Sequence, residues 1–94
     1  MENEMINIIR DVMEKLENAY DQQNPAVLEQ AIRQLEQARE QYGDRGTMLE
    51  DAITALNQAK NALAHVETAE DFSPENAFGQ AHNALEQALK SYRY

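Results

Sequence analysis

Tyr42-Gly43-Asp44-Arg45-Gly46-Thr47-Met48-Leu49-Glu50 decides how this chain is read. Gly43 ends the periodic pattern before it by taking a conformation that other residues resist. Asp44-Arg45-Gly46 is a turn. Thr47 with Glu50 three residues on predicts a capping box: the hydroxyl accepts one orphan helix N–H and the carboxylate reaches back for another. A helix therefore ends at Tyr42 and another starts near Thr47, with the chain almost equally divided between the two sides.

Downstream, Leu49, Ala52, Ile53, Leu56, Ala59, Leu63 and Val66 recur at spacings of three and four, which places them on one helical face. Ala55, Ala62 and Ala69 form a flanking stripe of small residues. That stripe predicts close neighbours and a central position for this helix. Asp71-Phe72-Ser73-Pro74 then breaks the pattern, with Ser73 as cap and Pro74 at the first helical position. A last segment carries Ala77, Phe78, Ala81, Leu85, Ala88, Leu89 and Tyr92.

Upstream, Leu28, Ala31, Ile32, Leu35, Ala38 and Tyr42 give a segment that begins at Pro25, with Asn24 as its cap. A proline cannot continue the preceding helix, because its ring clashes with the turn before it. The first segment, about Asn3 to Gln22, presents Met5, Ile9, Val12, Leu16 and Ala19. Ile6, Ile8, Met13 and Tyr20 widen that face. The expected fold is all-α: an antiparallel up-down four-helix bundle made of two tandem helical hairpins. It forms one domain over residues 1–94, with hairpins at about 3–42 and 47–92.

The second and fourth segments match at an offset of fifty. Gln30-Ala31 aligns with Gln80-Ala81, Leu35-Glu36-Gln37-Ala38 with Leu85-Glu86-Gln87-Ala88, and Tyr42 with Tyr92. This is either a duplicated hairpin or the alignment of two helices of equal period and similar composition. Both give four amphipathic helices.

The stretch Tyr42 to Asn57, especially Leu49-Glu50-Asp51-Ala52 and Ala55-Leu56-Asn57, resembles small acidic helical proteins of unassigned function from Bacillus-type bacteria. The resemblance implies a bacterial, cytosolic origin and brings no functional residues with it.

Charge and composition narrow the function. The net charge is −9 and there is no Cys. Acidity of this size argues against direct binding to nucleic acid phosphates or to an anionic membrane. The acidic start and the short apolar runs do not form a secretory signal or a membrane span. A cytoplasmic location is expected. Residues 1–23 and 47–72 each carry a net −4, so the acidity concentrates on the first and third helices. An up-down order allows these two to share one side as a negative surface, and ordinary solubility charge is the competing and preferred reading.

Catalytic chemistry finds little support. His82 has Glu86 four residues on, but one such pair falls short of the three or four ligands a metal needs. The Glu-x-x-His motif of di-iron bundles is absent, since Ala62 precedes His65 and Gly79 precedes His82 by three. Thr47 and Ser73 are explained as caps. Gly43, Gly46 and Gly79 do not make a phosphate loop. No catalytic, cofactor or metal residue is assigned, and no small-molecule substrate is indicated.

The expected function is a non-enzymatic helical protein–protein interaction or regulatory module, whose partner is another protein or a second copy in a homodimer. The excess apolar residues Ile6, Ile8 and Met13 and the tail residues Tyr92 and Tyr94 are its candidate contacts, with packing in the chain's own core as the competing role. The alternative is an acidic inhibitor that mimics nucleic acid and docks on a basic DNA-binding protein.

Overall fold

The computed structural model describes residues 4–44, 46–64 and 74–92. Within them lie four helices: α1 (Glu4–Gln22), α2 (Pro25–Tyr42), α3 (Met48–Ala64) and α4 (Pro74–Tyr92).

The end of α1 and the start of α2 are a single device. The Gln23 amide donates to the Tyr20 carbonyl at 3.3 Å and the Asn24 amide to the Ala19 carbonyl at 3.1 Å. These two bonds define a Schellman ending, with Gln23 in the left-handed region at φ 53°. Asn24 then turns round as the cap of α2, its side-chain oxygen accepting from the Ala26 amide at 3.0 Å. Two residues thus reverse the chain, as the Asn24-Pro25 pair predicts.

The middle turn differs from expectation. Gly43 ends α2 at φ 82° and ψ 170°, a region essentially reserved for glycine. Its amide donates to the Arg39 carbonyl at 2.9 Å. The start of α3, however, is capped by Asp44. One carboxylate oxygen accepts from the Leu49 amide at 2.8 Å, and the other from the Glu50 amide at 3.1 Å. The Thr47 hydroxyl instead donates to Asp51 at 3.1 Å. The anionic Asp44 is the stronger acceptor, and it displaces the Thr47–Glu50 box. The expected Ser73 cap lies outside the described residues.

Packing follows chain order around a ring: α1 touches α2, α2 touches α3, α3 touches α4, and α4 closes on α1. Among the described residues the backbones of diagonal helices do not approach one another closely. The all-α four-helix bundle is therefore the observed fold, 45 × 22 × 19 Å in extent. A ring of four gives every helix two neighbours, and α3, expected to be central, packs against its two more extensively than any other helix does. What the small residues do is tighten one seam. Ala52, Ala59 and Ala62 of α3 and Ala77, Ala81 and Ala88 of α4 are all buried, and α3 and α4 pack together more extensively than any other pair.

One continuous cluster of buried residues runs through all four helices. Ile9, Val12, Leu28, Leu35, Leu49, Leu56 and Leu85 are fully enclosed. No polar or charged side chain is buried among the described residues. Polar groups work at the edges. Between α1 and α2, Lys15 donates to Gln34 at 2.6 Å and to Asp11 at 3.2 Å, and Gln34 donates to Asp11 at 3.0 Å. Between α2 and α3, Lys60 stands 3.7 Å from Glu29. No helix among the described residues is long and apolar enough to cross a membrane.

Candidate interaction groove

The last seam to close the ring, α1 against α4, is also the least extensive. A groove of about 390 Å³ opens along it. Its floor is apolar: buried Leu16 and Phe78, with the half-buried ring of Tyr20 between the helices. The Tyr20 and Phe78 rings meet with centroids 5.0 Å apart and planes tilted by 53°. Tilted rings at this distance attract edge to face.

The rim is acidic. Glu17 and Asp21 stand on the α1 side and Glu75 on the α4 side, all three exposed. Glu75 accepts the Tyr20 hydroxyl proton. Burial of the ring end, the nearby Glu75 charge and that hydrogen bond, in that order, raise the Tyr20 hydroxyl above the ordinary tyrosine range. At the far end His82 lies 3.9 Å from Glu86. Gly79 completes the wall. It is exposed in the interior of α4, and a β-carbon built on it meets no atom within 4 Å.

The residues that the sequence proposes as contacts divide between two edges of α1. Ile8 sits seven residues before Lys15, on the edge bonded to α2. Ile6, Met13 and Tyr20 recur every seven residues on the opposite edge, where Tyr20 meets Phe78. Ile8 and Met13 are half-buried and pack against the core, and Ile6 is half-buried. The three therefore do not make one patch. Tyr92 is also half-buried against the core, with its hydroxyl 3.4 Å from the Gly43 carbonyl. Tyr94 lies outside the described residues.

Sequence reasoning passed over Gly79, Phe78 and Tyr20 as a group, because each has an ordinary explanation alone. The available signal was Gly79, an isolated glycine inside a helical pattern. Of the five acids in residues 47–72, Glu50 and Asp51 stand exposed at the start of α3, diagonally across the ring from α1, and Glu67, Glu70 and Asp71 lie outside the described residues. No group of three His, Asp or Glu side chains comes together as a metal site among the described residues.

Comparison with known protein families, with characterised proteins and with solved structures finds no match to this chain.

Proposed function

We propose that this chain is a non-enzymatic interaction module that holds a protein partner in the α1–α4 groove. The observation that carries this reading is the groove along the least extensive seam of the ring, where the half-buried Tyr20 ring lies over buried Leu16 and Phe78 between acidic rims. Among the described residues Tyr42 is the one exposed large hydrophobic, and its hydroxyl is engaged by Glu4 at 2.5 Å. A groove that covers part of a partner's apolar surface adds binding free energy, on the order of 25 cal/mol for each Å² removed from water.

A partner of different sequence suits the groove better than a second copy. Two copies would bring two acidic rims together, and each chain carries −9. The absence of Cys fits work in a reducing bacterial cytoplasm.

The test is site-specific photo-crosslinking in a bacterial lysate. A photoreactive side chain at position 79 should trap a discrete protein adduct, and the same group at exposed Gln30 on α2 should not. Equal adduct patterns at the two positions, or none at either, would refute the groove as the binding site.

A further inference from the structure

From the charge of the rim and from Gly79, we infer that the groove's occupant is a basic amphipathic helix, with lysine or arginine flanking an apolar stripe. This deepens the proposed function and rests on it. Two independent features point to this partner.

The first is charge complementarity. Glu17, Asp21 and Glu75 surround an apolar floor, with Glu86 beyond His82. An apolar stripe seated in the groove against the half-buried Tyr20 ring, which covers Leu16 and Phe78, brings its flanking side chains to those carboxylates. Positive flanks are attracted there, and negative ones are repelled at the same distance. The chain is a poor source of such an occupant, because its 17 acidic residues outnumber 8 Lys and Arg.

The second is Gly79. Glycine in a helix interior is a poorer helix former than alanine. A positive φ or close packing by a neighbour would account for one there. Among the described residues neither applies: Gly79 is helical without a positive φ, and none of their atoms lies within 4 Å of its absent β-carbon. The missing side chain leaves the groove wall open to the backbone of an incoming helix, and small residues allow helices to approach closely.

The probe is a synthetic helix of about five turns with a leucine stripe and lysine flanks, labelled for fluorescence anisotropy. Its comparators are the same peptide with glutamate flanks and a scramble that keeps composition but destroys the stripe. The lysine peptide should bind at least about tenfold more tightly than either comparator. Gly79→Gln should weaken it about tenfold while the melting temperature stays level or rises, since Gln is the better helix former. Charge reversal at Glu17 and Asp21 to Lys should shift preference toward the glutamate peptide.

Equal binding of the lysine peptide and its scramble would mean general charge attraction and would overturn the inference. Indifference to Gly79→Gln would overturn it too, as would tight binding of the glutamate peptide or binding of none of the three. Photo-crosslinking at position 79 separates the two levels: an adduct with a partner segment lacking basic flanks refutes the basic helix and leaves the interaction module standing.

Discussion

Gln23 and Asp44 show how single residues set the turns. Gln23 stands at φ 53°, where a β-carbon costs about 1–2 kcal/mol. Glycine there removes that strain but gains about 0.4–1 kcal/mol of unfolded-state freedom. Gln23→Gly should therefore stabilise the fold by about 0.5–1 kcal/mol in urea titration. A loss of stability would mean that the Schellman ending is misassigned. Asp44 carries two helix amides on one carboxylate. Asp44→Ala should cost about 1–2 kcal/mol, and Thr47→Ala should cost less than about 0.5. The reverse order would restore the Thr47 capping box. From the sequence, Thr47-Met48-Leu49-Glu50 matches that box well. Asp44 wins through the reach of its anionic side chain across the turn, a property of the folded loop that residue order alone does not express.

At the scale of helices, periodicity was highly informative. Met5, Ile9, Val12, Leu16 and Ala19 were read as one face, and all five are buried along α1. The fifty-residue match has a structural counterpart as well. Leu28 and Phe78, Ala31 and Ala81, Leu35 and Leu85, and Ala38 and Ala88 are buried in pairs on diagonal helices. The match then diverges at its end. Tyr42 is 45% exposed and reaches α1, whereas Tyr92 is half-buried and reaches the middle turn. A face can be read from spacing, but which neighbour receives each edge of that face is decided by ring closure. For that reason neither the pairing of Tyr20 with Phe78 nor the division of Ile6, Ile8 and Met13 between two edges of α1 is legible in the sequence. Leu56 is fully enclosed on α3, so Leu56→Ala should cost about 2–5 kcal/mol. A cost below about 1 kcal/mol in thermal or urea unfolding would place α3 at the margin of the core.

For the molecule as a whole, pH acts at both ends of the scale. The Gln34 amide and the Lys15 ammonium both donate to Asp11 and hold its carboxyl below the ordinary range. A depressed folded value contributes stability that is fully present above the unfolded value, about 4, and is lost as pH falls through the folded value. Tyr42 is raised by its hydrogen bond to Glu4, by partial burial and by the Glu4 charge, and Tyr20 is raised chiefly by burial. Raised values act with the opposite sign. Their stability is present below about pH 10 and is lost as pH rises through the folded values. Melting temperature should therefore decline above about pH 10, and Tyr20→Phe with Tyr42→Phe should make that decline shallower. An unchanged slope in the double variant would show that other groups drive it.

The two-residue link at Gln23-Asn24 and the α1–α4 seam also differ in the order of events they imply. Helices joined by two residues meet at small entropic cost, whereas α1 and α4 meet only after a loop of about fifty residues or more has closed. Contacts across that seam are therefore expected to form after the rate-limiting step. Substitutions there should speed unfolding and leave refolding rates almost unchanged, as chevron plots of Phe78→Leu would register. The surface proposed to receive a partner is then the one that the chain itself assembles last, and an occupant there would slow unfolding by holding the ring shut.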